Sequence, residues 1–209
     1  NEPTLRFKKI YRSLLIIPYA MPVFITALMW RGLFNTAAGA INTKLFEPLL
    51  GIAPAWFQQP TLAKIAILIV NLWLGFPYMM VITLGALQSI PPQLYDVAKV
   101  DGASGVRQFF SITLPLLLVS VGPLLIGSFA FNFNNFNVIY LVTQGDPPIA
   151  GANVAGSTDI LISYTYKLAF GGQGGTLYGF AAAVSVIIFA LIGTISGFNF
   201  RFTGALEET

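Results

Sequence analysis

The chain has neither cysteine nor histidine, and it is poor in charge: 9% of its 209 residues are Asp, Glu, Lys or Arg, while 56% are apolar. Soluble globular proteins carry roughly 25% charged and roughly 45–50% apolar residues, so water is not the main solvent for this sequence. The absence of thiols excludes a nucleophilic Cys, a disulfide, an iron–sulfur cluster and a thiolate zinc site. The absence of imidazole removes the commonest acid–base group and metal ligand. No G-x-x-x-x-G-K-[ST] run occurs, which excludes a P-loop ATP site on this chain. No catalytic and no metal-binding residue is therefore assigned. Residue 1 is Asn, and the polar stretch from Asn1 to Lys9 reads as neither an initiator nor a secretory leader, so a fragment lacking its own N-terminus is expected.

What the sequence does have is four uncharged stretches, Ser13 to Trp30, Ile65 to Tyr95, Gln108 to Gly145 and Leu168 to Phe200. Each is as long as or longer than the roughly 17–25 residues a helix needs to cross a bilayer. The expected fold is an all-α membrane protein, a polytopic transmembrane helix bundle with four spans. Alternating the loops puts Arg6, Lys8, Lys9, Arg12, Lys99, Arg107 and Arg201 on one side, with Arg31, Lys44, Lys64 and Lys167 on or near the other. Basic residues accumulate on the cytoplasmic side, which places the N-terminal end of the chain, the loop at about 89–112 and the C-terminus there. The outward loops, about 34–61 and 141–175, carry turn formers: Pro48, Pro54 and Pro60 in the first and the Gly171-to-Gly175 run in the second. Their short apolar pieces, Lys44 to Leu50 and Ile160 to Phe170, read as interfacial helices on the outer surface.

Helix breakers interrupt three of the spans: Pro18 and Pro22 in the first, Gly75 and Pro77 in the second, Gly122 and Pro123 in the third. They are either tolerated kinks or the marks of a bundle that moves or lines a cavity, where neighbours or water satisfy the freed carbonyls. The fourth span, Leu177 to Phe200, is rich in small residues, among them Ala181, Ala182, Ala183, Gly193, Ser196 and Gly197, and reads as a packing helix.

Polar residues inside the spans fall into stripes. Ser128, Phe131, Asn132 and Asn135 are spaced i, i+3, i+4, i+7, and Asn71, Gly75 and Tyr78 are spaced i, i+4, i+7. At 1.5 Å per residue Asn132 lies about 26 Å from Pro115, and Asn71 about 10 Å from Lys64, which puts both in the outer half of the membrane. An unpaired Asn in such a medium costs about 1–3 kcal/mol, so the amides need partners. Two readings stay open: bonding between helices, or a wet cavity in which Asn pairs with sugar hydroxyls and an aromatic face packs on a pyranose. Asn134 and Asn137 lie off the stripe and receive no ligand role.

After Pro91 and Pro92, the positions of Leu94, Val97, Ala98 and Val100 give a short amphipathic helix, with Asp96 and Lys99 at i,i+3. Asp101 and Gly102 supply a turn, and Ser104 caps a second short helix reaching Phe110. By periodicity this is either a connector packed on the membrane surface or a docking element for a soluble partner. Its spacing resembles the cytoplasmic signature of ABC-importer permease subunits: Glu-Ala-Ala, three residues, Gly, nine residues, then Ile-x-Leu-Pro. Here that is Asp96-Val97-Ala98, Gly102 and Ile112-Thr113-Leu114-Pro115, departing from the pattern in Asp96 and Val97.

From about Tyr11 to Phe200 the chain is also similar to maltose/maltodextrin permease subunits of MalF type. The stretches that carry this are Leu15 to Ala20, Ala55 to Phe57, Val70 to Met80, Ser128 to Phe136 and Tyr164 to Tyr166. The resemblance implies that residues 1–209 are the C-terminal part of a permease transmembrane domain in a bacterial cytoplasmic (inner) membrane. It implies that residues 91–115 form the coupling loop, with Asp96, Ala98, Asp101, Gly102, Ala103, Phe110, Leu114 and Pro115 facing an ATPase. Sugar contacts are implied at Tyr19, Asn71, Gly75, Tyr78, Ser128, Phe131, Asn132 and Asn135, and Val23 stands where a Ser hydroxyl faces the sugar.

The implied partners are a second homologous permease subunit, two ATPase subunits, a periplasmic sugar-binding protein and membrane lipid, with no nucleic acid. ATP and Mg belong to the ATPase, and no cofactor is expected on this chain. Another α-glucoside such as trehalose is an alternative substrate. The competing classes are a secondary sugar transporter, disfavoured because the spans hold no ionisable group for proton coupling, and an intramembrane enzyme built on an unusual Ser–Lys or Ser–Tyr pair.

Overall fold

A computed structural model describes residues 7–152, 154–171 and 176–207. Arg6 and the glycine run at 172–175, both used in the sequence reading, lie outside the described residues. Among the described residues no strand occurs, and the one isolated bridge pairs Pro148 with Gly156. The chain divides into two compact units, Asn1–Pro77 with Asn134–Phe189, and Tyr78–Phe133 with Ala190–Thr209.

In the first unit, α1 (Lys8–Ala20) and α2 (Val23–Leu33) meet at 97°. The break has a local cause. Pro22 disfavours helical backbone at the residue before it, and Met21 is extended, with φ −87° and ψ 136°. The first uncharged stretch is therefore a bent pair, so the described residues hold three unbroken candidate spans, or four if the pair counts as one.

α2 packs on α8 (Phe136–Val142), and the core gathers Ala27, Phe34, Trp56, Ala66, Val70, Val138 and Val142. Among the polar side chains sealed into this apolar region, one is fully bonded. Asn42, 0% exposed, donates from Nδ2 to the carbonyls of Thr36 (3.0 Å) and Pro54 (3.1 Å) and accepts the Trp56 indole N–H at 2.9 Å. These three bonds satisfy the buried amide and close the connection between α2 and the next long helix. The piece expected at Lys44 to Leu50 is helical but mixed: a π turn, Asn42–Phe46, runs into α3 (Glu47–Leu50), which ends at Gly51 in the left-handed region, φ 67°.

The breaks expected at Gly75 and Pro77 and at Gly122 and Pro123 do not form. α4 (Pro60–Ser89) continues through Pro77, and α7 (Leu114–Phe133) continues through Pro123. A proline deletes one N–H from the ladder, but an apolar medium offers the backbone no alternative partner, so the remaining helix bonds hold. The spans are also shorter than the uncharged stretches: α4 stops at Ser89, before Pro91 and Pro92, and α7 stops at Phe133. Ala63, Ala66, Val70 and Pro77 form the buried face of α4. α10 (Tyr178–Glu207) supplies the last span, with its membrane-length part at Tyr178–Phe198. Within the first unit its buried positions are Ala181, Val184 and Ile188, one face at i, i+3, i+7. Ala182 and Ala183 are exposed, and a Cβ added at Gly193 or Gly197 would meet nothing, so among the described residues the close packing expected at those small residues is not made.

In the second unit, α5 (Pro92–Val100) is followed by α6 (Gly105–Gln108). The helix expected to stop at Phe110 does not stop. It widens into a π turn, Phe109–Thr113, and enters α7 directly, with the Leu114 N–H bonded five residues back to Phe109 O. The wide turn ends just before Pro115, whose missing N–H would leave a gap in an ordinary α ladder.

Candidate functional site

Two of the polar residues expected in the first unit meet directly. Asn135 Nδ2 donates to Asn71 Oδ1 at 3.2 Å, and Asn135 Oδ1 accepts the Val138 N–H at 3.4 Å. This corrects the expected stripe. Asn135 is not on the helix of Ser128 and Asn132; it is the N-cap of α8, with φ −76° and ψ 69°. An Asn side chain that accepts a backbone N–H offers the chain an alternative to helix continuation, and here it starts a new helix two residues after α7 ends. For Asn71 and Asn135, direct bonding is the geometry observed, and both remain half-buried. One turn along α4, Gly75 is exposed, and an added Cβ would touch nothing within 4 Å. The glycine leaves open space on α4 one turn from a neutral donor–acceptor pair.

Tyr19, also in the first unit, is exposed near the end of α1, and Val23 begins α2 on the far side of the break. In the second unit, Ser128, Phe131 and Asn132 share a face of α7. Asn132 Nδ2 donates to Ser128 O at 2.8 Å and lies 3.5 Å from Ser128 Oγ, while Phe131 is exposed. Tyr78 is exposed on α4.

The 91–115 segment is compact inside and apolar outside. The Ala103 N–H donates to Ala98 O at 2.8 Å, the Gly102 N–H to Lys99 O at 3.0 Å, and Gln108 Nε2 to Ala103 O at 2.8 Å. Gly102 holds φ 74°, and Ser104 Oγ caps α6 by accepting the Arg107 N–H at 3.4 Å. Ala98, Ala103 and Leu114 are half-buried, whereas Asp96, Asp101, Phe110 and Pro115 are exposed, as are Leu94, Val97, Val100 and Val106. An exposed apolar face on a short, internally bonded helix pair is suited to docking another protein.

Two features of the first unit escaped the sequence reading. One is the loop at 143–160, where Asp159 accepts from Lys167 Nζ (2.7 Å), the Gly156 N–H (2.7 Å) and Ser163 Oγ (2.8 Å). The Asp and Lys are separated by seven residues, and only the intervening helix start, α9 (Leu161–Phe170), brings them together. The other is a groove of about 410 Å³ lined by Phe136, Tyr166, Phe170, Tyr178 and Ala181. Its hydroxyls at Thr165 and Ser185 are spent on helix carbonyls, so it offers little to a polar ligand. At its edge, the hydrogen bond with Tyr140, aided by that neighbour's charge and some desolvation, raises the Tyr166 phenol above its ordinary value. Among the described residues, no group of three Asp or Glu side chains is placed to hold a metal ion.

Residues 3–201 match the family described as binding-protein-dependent transport system inner membrane component. The chain is 52% identical over 200 residues to the maltose/maltodextrin transport system permease protein MalF of Vibrio vulnificus (strain YJ016), covering 95% of this chain and 38% of that protein. It is 50% identical over 200 residues to the protein of the same name from Escherichia coli (strain K12), covering 95% and 39%. The chain thus spans under two fifths of the length of these relatives. In fold it is similar to a crystal structure of a bacterial ABC transporter involved in the import of the acidic polysaccharide alginate, with a TM-score of 0.80, 21% identity, and coverage of 97% of this chain and 68% of that one. A second alginate transporter structure, in complex with a pentasaccharide-bound periplasmic protein, gives a TM-score of 0.77 at 22% identity, covering 99% and 69%.

Proposed function

The chain belongs to the binding-protein-dependent transport system inner membrane component family, and on that premise we propose that it forms part of the membrane path of an ABC importer for maltose, maltodextrin or a related α-glucoside. The observation that carries the sugar reading is the Asn71–Asn135 pair, one helical turn from the exposed Gly75. Amide groups offer donors and acceptors without charge, which matches neutral hydroxyl pairs better than it matches an ion. The relatives that cover 95% of the chain are maltose/maltodextrin permeases, in keeping with that chemistry.

In this reading the sugar contacts are Tyr19, Asn71, Gly75, Tyr78, Ser128, Phe131, Asn132 and Asn135. Val23, lacking a hydroxyl, shifts preference among α-glucosides. The segment 91–115 faces the cytoplasm, as do both ends of the chain, and seats one of two ATPase subunits through Asp96, Ala98, Asp101, Gly102, Ala103, Phe110, Leu114 and Pro115. A second permease subunit completes the path, and a periplasmic sugar-binding protein delivers substrate to the outer loops. ATP and Mg act on the ATPase. This chain performs no covalent chemistry; it supplies a membrane element with two states that the ATPase biases.

The test is reconstitution of the full-length subunit with its partners across a panel of α-glucosides. Asn71→Ala removes one amide and is expected to raise the sugar concentration for half-maximal transport about tenfold, the scale of one hydrogen bond in a shielded site. Unchanged transport by Asn71→Ala and by Asn135→Ala would remove the sugar assignment.

A further inference from the structure

We infer that a single hydrogen bond, between the Tyr95 and Thr113 hydroxyls, is the strut that makes the docking helix α5 move together with the start of α7, and that these two side chains are positioning residues for coupled transport. The inference rests on the coupling reading given above and adds how the motion is passed on. The two oxygens are 2.9 Å apart across eighteen residues of chain, and either can donate.

Tyr95 is the turned-in residue of α5. Its neighbours Leu94, Asp96 and Val97 are exposed, whereas Tyr95 and, three residues on, Ala98 are half-buried. Thr113 is the last residue of the π turn and itself half-buried. Other helix hydroxyls in this chain fold back on the carbonyl one turn earlier: Ser120 to Leu116, Thr165 to Leu161, Ser185 to Ala181 and Thr194 to Ala190. Thr113 is bonded outward instead, to another helix.

The strut matters because the covalent path between α5 and α7 is compliant. It runs through the Asp101–Gly102 turn, the four residues of α6 and the wide turn at Phe109–Thr113, and helices kink at π turns. A push on α5 would be absorbed there. The Tyr95–Thr113 bond bypasses all three, joining α5 directly to the residue before α7. The remaining ties, Ala103 N–H to Ala98 O and Gln108 Nε2 to Ala103 O, hold α5 to α6 but not to α7.

The experiment uses the full-length subunit assembled with its partners in proteoliposomes, and reads sugar transported per ATP hydrolysed together with ATPase co-purification. Tyr95→Phe and Thr113→Val each delete one hydroxyl and are expected to lower the transport-to-hydrolysis ratio roughly fivefold, the equivalent of one net hydrogen bond of about 1 kcal/mol. ATPase co-purification stays at the wild-type level. The double variant is no worse than either single one, and Thr113→Ser, which keeps the hydroxyl, retains the wild-type ratio. An unchanged ratio in both single variants, or losses that add in the double variant, overturns the strut while leaving ATPase docking in place. Deletion of residues 92–110 with undiminished ATPase co-purification overturns the coupling reading and the strut with it.

Discussion

The segments at 91–113 and 143–167 each contain a glycine in the left-handed region, a short helix and an Asp–Lys pair, and the two pairs have opposite surroundings. Asp159 and Lys167 are 2.7 Å apart, with side chains 4% and 17% exposed; Asp96 and Lys99 are 3.2 Å apart, with side chains 72% and 65% exposed. In the first case the carboxylate also accepts the Gly156 N–H and Ser163 Oγ, so the charge is shielded by groups of its own loop. Thr143 and Thr158 add a second buried contact at 2.8 Å. In the second case the polar groups sit in solvent and the apolar side chains Val97, Val100, Val106 and Phe110 stay uncovered. One loop is finished by its own residues. The other bonds its backbone within itself and keeps its side chains for a partner.

The sharpest way to break that contrast is to remove one charge from each pair. Asp159→Asn or Lys167→Met leaves a buried charge without its partner and is expected to cost about 3–5 kcal/mol, read as a lower Tm and faster proteolysis within 143–160. Asp96→Asn or Lys99→Gln is expected to change Tm within error, because an exposed pair contributes about 0–1 kcal/mol. Equal effects at the two sites would remove the distinction.

A smaller effect separates the two glycines. Gly102→Ala meets open space and carries only the penalty of its φ of 74°, about 1–2 kcal/mol. Gly145→Ala has the same penalty at φ 87°, and its Cβ would collide with the Asp159 carboxylate and Lys167 Nζ, so it is expected to lower Tm further and to loosen the ion pair. Comparing the two melting curves measures how tightly each loop is closed.

The smallest effect is in titration. The Tyr166 phenol is raised above 10.0, first by its hydrogen bond with Tyr140. A raised value in the folded state means that the proton is held more tightly there, so this contribution is present below pH 10 and lost as pH rises through the shifted value. Tyr140→Phe is expected to return the Tyr166 titration toward 10.0 in difference absorbance, with little change in Tm at neutral pH.

The membrane spans were legible because hydropathy is a sum over many residues, and a misplaced boundary hardly alters it. The α5 helix and the Ser104 cap were legible because both depend on neighbours a few residues away. The end of α7 was not. The run from Gln108 to Gly145 contains no charge, and its interruption rests on one Asn that caps a new helix; the same residue reads equally well as the last member of a stripe. The prolines misled in three of four cases, since Pro22 breaks a helix next to an extended Met21 while Pro18, Pro77 and Pro123 are carried inside one. The Asn42–Trp56 bond and the Asp159–Lys167 pair depend on how distant segments pack, and no local pattern announces them. For the candidate site, the residue types were legible, but the pairing of Asn71 with Asn135 was not.

The π turn at Phe109–Thr113 sets a phase between the helices on either side of it. A single π turn amounts to one residue inserted into an α-helix, and each residue of an α-helix advances the direction of its side chain by about 100°. The inserted residue therefore sets the compass heading of α5 and α6 relative to the face of α7 that carries Ser128 and Asn132. Deleting Ser111 would leave every docking side chain and every polar side chain of α7 in place, and turn one set away from the other by more than a quarter of a revolution.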